Sequence, residues 1–255
     1  MNVFLRPGPP SDARLRLIIF HHAGGSAAAY YPLVRKLPPE WDVLLLDLPG
    51  RGRRAAEPPV DAMAELIERV CTDIDPWLTD LPVALFGHSL GAVVALESAR
   101  WMCDEHVGMP PVWVGVSGRI APGFQALSRR RLYELDDEAL LRTLISMGGT
   151  PEQVRRVPEI RDRLLTTVRA DLRAADTYQP APDRIPLSCP VTAFSGDRDE
   201  WAPPASMPAW ARETSGDFAH FTFPGGHFYF LDDGFRGLGR QIGESIGALF
   251  VPSAA

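Results

Sequence analysis

Lys36 is the only lysine in 255 residues; arginine supplies the rest of the positive charge. That skew reads as coding bias toward GC-rich codons and not as a phosphate-binding surface. Positive charge is also short overall: 26 basic residues face 32 acidic ones, a net charge of -6. This argues against nucleic-acid binding as the main task. Cysteine is scarce. Cys71, Cys103 and Cys189 are far apart, with no C-x-x-C spacing. An odd, scattered set argues against a disulfide framework and for a reducing compartment, the cytoplasm. No run approaches the roughly 20 apolar residues of a membrane span. The stretch Met1 to Pro7 lacks the apolar core of a signal peptide. No G-x-x-x-x-G-K-[ST] occurs, and Gly24-Gly25-Ser26 is too short for a dinucleotide fingerprint. His21 and His22 have no partner at a metal-ligand spacing. Neither cofactor nor metal is expected.

What is present is a chain 45% hydrophobic and 23% charged, which suits one α/β domain with a substantial core. Strand candidates are Leu15 to Phe20, Val43 to Asp47, Val83 to Phe86, Val112 to Val116, Val191 to Ser195 and Phe218 to Phe223. They are nearly all apolar instead of alternating, as parallel strands covered on both faces are. Helix candidates are Ala28 to Leu37, Met63 to Leu78, Ala92 to Arg100, Ala205 to Thr214 and Gly234 to Phe250. Between about residues 121 and 183 no strand is convincing. Two amphipathic helices, Leu135 to Ile145 and Ile160 to Tyr178, are expected there. Such an insert is a candidate lid over the sheet's carboxyl edge; the plainer reading is a helical subdomain with no gating role.

The sharpest motif is Gly87-His88-Ser89-Leu90-Gly91, between an apolar strand and a helix-like run. Strand, tight turn, helix is the setting of a nucleophile elbow, with Ser89 as nucleophile. A serine hydroxyl needs a base, and the base an orienting acid. His227 follows the last strand in the loop opened by Gly225-Gly226, and is the expected base. His88 is too close to Ser89, His220 lies within a strand, and His106 has no comparable setting. Two acids compete after the preceding strand, Asp197 and Asp199. Spacing past Gly196 favours Asp199, with Asp197 shaping the turn. Backbone N–H groups of Leu90 and Ala23 are the expected oxyanion donors. Arg51, Arg53 and Arg54 form a small basic patch, read as a solvated loop or, less favourably, a contact for a phosphorylated partner.

The order Ser-Asp-His is that of the α/β-hydrolases. Phe20-His21-His22-Ala23-Gly24-Gly25-Ser26, Asp47-Leu48-Pro49-Gly50-Arg51-Gly52, the elbow, Phe194 to Asp199 and Pro224 to Leu231 occur in sequence. Together they resemble the type II thioesterases of polyketide and nonribosomal peptide biosynthesis, over nearly the whole chain. Leu135 to Glu138 and Arg169 to Leu172 extend the likeness into the insert. His22 departs from it, standing where proline is often found. The resemblance implies an editing enzyme, built as an α/β-hydrolase fold with a helical lid; oligomeric state is open in the sequence, with a monomer as the default expectation. It would remove stalled or aberrant acyl groups from the phosphopantetheine thiol of acyl or peptidyl carrier proteins. It supports Ser89, Asp199 and His227 as triad and Ala23 and Leu90 as oxyanion donors. Rivals are a small-molecule carboxylesterase or acyl-coenzyme A thioesterase of the same fold, and a non-catalytic binding protein with that fold.

Overall fold

The computed structural model describes residues 2–104, 107–124 and 131–250. His106 and part of the expected insert, residues 125–130, lie outside them. Strands are β1 (Phe4–Leu5), β2 (Leu15–Phe20), β3 (Trp41–Leu46), β4 (Val83–His88), β5 (Trp113–Ser117), β6 (Val191–Gly196) and β7 (Phe218–Phe223). Helices are α1 (Tyr31–Val34), α2 (Met63–Ile74), α3 (Leu90–Met102), α4 (Asp137–Ser146), α5 (Pro158–Thr177) and α6 (Arg236–Gly247).

The seven strands form one sheet in the order β1-β3-β2-β4-β5-β6-β7. Only β1 runs antiparallel to its neighbour. Apolar side chains fill both faces. Ile18, Leu44, Leu85 and Val114 pack under α2 and α3 on one side. Leu17, Val43, Phe86 and Trp113 pack toward α1 and α6 on the other. Burial on both faces is why these strands read as continuous apolar runs. The chain passes from β2 to β3 on one side and then returns to place β4 on the other. The switch point therefore lies between the carboxyl ends of β2 and β4, where open parallel sheets bind ligands.

Several boundaries differ from the sequence reading. The helix expected over Ala28–Leu37 is a 3-10 turn, Ala27–Tyr30, followed by the four-residue α1. Pro32 in the first turn of α1 has no N–H to continue a ladder from the preceding residues. Pro76 likewise ends α2 at Ile74, short of Leu78, and starts a 3-10 turn. Pro208 inside Pro204–Glu213 leaves that segment 3-10 and not α-helical. β1 was not anticipated, because a two-residue strand has no period to recognise. The three cysteines are free. Among the described residues no helix is long and apolar enough to cross a membrane.

Between β5 and β6, α4 and α5 form the expected helical insert with its own small apolar cluster: Leu132, Leu140, Leu141, Leu144, Leu165 and Val168. Asp136 caps α4, its carboxylate accepting the Ala139 N–H at 2.8 Å. The insert lies over the carboxyl edge of the sheet, with Val168 and Leu164 of α5 against Gly24.

Candidate active site

Ser89 sits between β4 and α3 with φ 56° and ψ −113°, a left-handed conformation that a side-chain-bearing residue adopts only when its surroundings enforce it. The enforcement is close packing. A Cβ on Gly87 would lie 1.8 Å from the Gly91 carbonyl oxygen, and one on Gly91 would lie 2.2 Å from that of Phe20. The two glycines let strand and helix approach until the serine is pushed above the sheet. Its N–H donates to the Ser117 carbonyl at 2.7 Å. Ser89 and His227 line one cavity of about 620 Å³, with Val93, Leu172 and Ala175 among its walls.

The loops after β6 and β7 are stitched together. Arg198 N–H donates to the Gly225 carbonyl at 2.9 Å, and Gly225 N–H to Asp197 Oδ1 at 2.8 Å. This frame brings Asp199 to His227: His227 Nδ1 donates to Asp199 Oδ2 at 2.9 Å. Asp199 Oδ1 accepts the N–H groups of Trp201 and Ala202 at 2.8 and 3.1 Å. Burial opposes ionisation of Asp199. The His227 hydrogen bond and charge, with the two amides, outweigh it and hold the carboxyl below its ordinary value. His227 Nε2 is buried and has no hydrogen-bond partner among the described residues. The structure thus separates the competing acids: Asp199 meets the histidine, and Asp197 closes the turn.

The remaining histidines have other partners. His88 Nδ1 bonds Ser117 Oγ at 2.9 Å, which bonds Tyr229 OH at 2.9 Å. The His88 ring lies 4.8 Å from that of His227, and burial holds it neutral, well below the usual imidazole value. His21 Nδ1 donates to the His22 carbonyl, and its Nε2 accepts the Leu48 N–H. His22 meets Tyr30 OH at 2.9 Å; burial, then the nearby charges of His227 and Arg51, bring it down to about 3. His220 meets Ser195 Oγ at 3.0 Å.

Two backbone donors flank the serine. Leu90 is the first residue of α3, so its N–H is among those a helix leaves unpaired at its positive end. In the loop after β2, Gly25 N–H donates to the His22 carbonyl at 3.0 Å. Gly24 N–H donates to Asp171 Oδ2 at 2.7 Å. That leaves Ala23 N–H without a partner among the described residues.

Asp171, on α5, received no role from the sequence. It is 1% exposed and also meets Arg51 Nη2 at 2.5 Å. Burial raises its carboxyl above the ordinary value, against the pull of Arg51 and the Gly24 amide. Its sequence signal was a carboxylate on the same helical face as Leu164, Val168 and Ala175. The basic patch is corrected at two of its three positions: Arg53 is exposed on the loop, as expected. Arg51 and Arg54 are buried, Arg51 on Asp171 and Arg54 on Glu57 and Asp73. Neither is a solvated loop residue open to a phosphorylated partner, because each carries a carboxylate of its own chain.

A model of the thioesterase domain family matches residues 15–246. Thioesterase PikA5 of Streptomyces venezuelae is 39% identical over 238 residues, covering 93% of this chain and 83% of the relative. The RedJ thioesterase of the prodiginine pathway in Streptomyces coelicolor superposes with a TM-score of 0.84 at 37% identity, covering 93% of each chain. YbtT, a type II thioesterase of a yersiniabactin NRPS/PKS pathway, gives 0.86 at 26% identity, over 98% of this chain and 100% of that one. With its parallel sheet, its strand–serine–helix turn and its match to relatives along nearly all their length, the chain belongs to the thioesterase domain family of the α/β-hydrolase fold, alongside the type II thioesterases of polyketide and nonribosomal peptide pathways.

Proposed function

We propose that the protein hydrolyses acyl thioesters carried on the phosphopantetheine arm of acyl or peptidyl carrier proteins. It would clear aberrant or stalled chains from a polyketide or nonribosomal peptide synthase. The observation that carries the catalytic reading is the Asp199–His227 pair. Its Nδ1 is held by a buried carboxylate, and its Nε2 is unpartnered in the wall of the cavity that contains Ser89.

In the first half-reaction Ser89 Oγ attacks the thioester carbonyl carbon while His227 Nε2 takes its proton. Asp199 holds the imidazole in the accepting tautomer and stabilises the imidazolium. The carbonyl oxygen becomes an oxyanion, received by the N–H groups of Ala23 and Leu90. Collapse breaks the C–S bond, and the sulfur leaves with the imidazolium proton as a free thiol. In the second half-reaction His227 deprotonates water, which attacks the acyl-serine; the acid departs and the proton returns to Ser89. His21, His22 and His88 stay neutral and take no part in proton transfer. The acyl chain occupies the chamber under α5. No metal or cofactor enters either step.

Comparing one acyl group on a carrier protein with the same acyl group in a simple oxygen ester tests the reading. Faster turnover of the carrier thioester is expected; a strong preference for the free ester would overturn it in favour of a carboxylesterase.

A further inference from the structure

Two cavities meet at His227. Besides the chamber that holds Ser89, a second cavity of about 750 Å³ reaches the same imidazole. The two share Leu132, Met147, Glu200, Trp201 and His227 in their walls. They differ in what else they offer. The first has Ser89 and the apolar side chains of α3 and α5. Ser89 is not among the described residues that line the second, which presents two arginines, Arg131 and Arg198, together with Thr143 and Ser146.

A thioester has two halves that leave the reacting carbonyl in different directions. We infer that the second cavity seats the phosphopantetheine arm and that Arg131 and Arg198 bind its phosphate. This rests on the thioesterase reading and adds the seat of the leaving group.

Both arginines combine a fixed backbone with an exposed head. Arg198 N–H is bonded to the Gly225 carbonyl, one residue before the carboxylate that holds His227. Arg131 leads into the 3-10 turn Leu132–Glu134, and the Tyr133 and Leu135 carbonyls there accept from Arg169 at 2.5 and 2.7 Å. The Arg198 and Arg131 side chains are 76% and 63% exposed. Their present partners are surface carboxylates, Asp197 at 3.6 Å and Glu134 at 2.9 Å. Exposed pairs of this kind hold weakly, and a phosphate, singly charged as the diester on a carrier and up to doubly charged as free 4′-phosphopantetheine, offers the planar guanidinium two oxygens for a bidentate match. Thr143 and Ser146 donate to backbone carbonyls of α4. Their oxygens keep lone pairs free to accept the amide N–H groups of the arm. Leu132, Leu135, Met147 and Trp201 give its methyl and methylene groups apolar walls. Glu200 is the single carboxylate lining this cavity, and it sits in the shared wall near the reacting end. There it discourages a phosphate from entering too deep.

The test is steady-state hydrolysis of one acyl group on three thiols: pantetheine, 4′-phosphopantetheine and a carrier-bound arm. The native protein should show a KM for the phosphopantetheine thioester roughly tenfold below that for the pantetheine thioester, and added salt should narrow the gap. The double variant Arg131→Ala, Arg198→Ala should raise KM roughly tenfold for both phosphate-bearing substrates. It should leave kcat unchanged and the pantetheine thioester unaffected, which also reports that the variant is folded. Lysine at both positions should restore part of the loss. Equal KM for pantetheine and phosphopantetheine thioesters in the native protein, or a variant that weakens all three alike, would overturn the phosphate subsite while hydrolysis itself persists. A rise confined to the carrier substrate would move the two arginines to the carrier's surface, and the phosphate assignment would fall. Failure to hydrolyse any of the three would overturn the thioesterase reading and this subsite with it.

Discussion

Every residue of β2, β3, β4, β5 and β6 is buried, whereas α5, the longest helix, leaves Ile160 more than half exposed. The strands are fixed by packing on two faces, so the loops at their ends are positioned many times over. The insert rests on one face. Polar contacts pin it: Asp171 on Gly24 and Arg51, Arg119 on the Ala175 carbonyl, Tyr178 on Glu97. The proposed chemistry depends on the first region and the shape of the substrate chamber on the second. Substitutions at the sheet edge should therefore cost rate with little stability, and substitutions at the pins should cost stability with little rate.

The largest effect should come from Ser89→Ala. Hydrolysis should drop on the order of 10⁶-fold, to the floor of the assay, while the urea midpoint stays near native. A rate close to native would remove the serine from the mechanism. Next is the pair of acids. Asp199→Asn should cost about 10⁴-fold in kcat by leaving His227 in the wrong tautomer. Asp197→Asn, which only loosens the turn at Gly225, should cost far less; the reverse ranking would exchange their roles. Third, Asp171→Ala should lose about 3–5 kcal/mol of stability, because Arg51 is left buried without its counter-charge. Its kcat should change much less than that of Asp199→Asn. Replacing both partners, Arg51→Met with Asp171→Leu, should recover most of the loss. An unchanged urea midpoint for Asp171→Ala would dissolve the contrast between the two regions.

The smallest effect concerns acid. Burial opposes ionisation of Asp42 too, but hydrogen bonds and charges from Arg6 and Arg16 hold its carboxyl below the ordinary value, as His227 does for Asp199. A lowered native value contributes stability that is fully present above the unfolded value of about 4. It is lost as pH falls through the native one. Urea midpoints should decline as pH drops below about 4, and the decline should be shallower in Asp42→Asn. A slope equal to that of the native protein would show that the pair carries none of the acid sensitivity.

The same contrast explains what was legible in the chain. The apolar run Leu15–Phe20 corresponds residue for residue to β2, because burial on both faces leaves a local signature; Phe218–Phe223 corresponds to β7, an edge strand that is only partly buried and is marked by its three phenylalanines. Ser89, Asp199 and His227 were legible because each follows a strand, and a strand end is a fixed place in this fold. The Asp171 contact was not, since it joins residues 147 apart. Nothing in the spacing of Arg51 told that it would be buried under α5. The helix breaks at Pro32, Pro76 and Pro208 were visible as residues, but local apolar periodicity outweighed them in the reading.

Gly24 has φ +72°, and a Cβ there would press on Val168 at 3.1 Å. Its N–H meanwhile ends on Asp171. The loop beside the serine and the helix above it are therefore one inheritable unit, and they can change only together. Grafting the insert from another thioesterase, to borrow its acyl preference, would succeed only if the donor brings a carboxylate at the position of Asp171 and a side chain no larger than valine over Gly24. A donor lacking the carboxylate would strand a guanidinium and an amide in the same step, and one with a bulkier side chain over Gly24 would push the helix off the loop; in both cases the chamber would arrive without its attachment to the sheet.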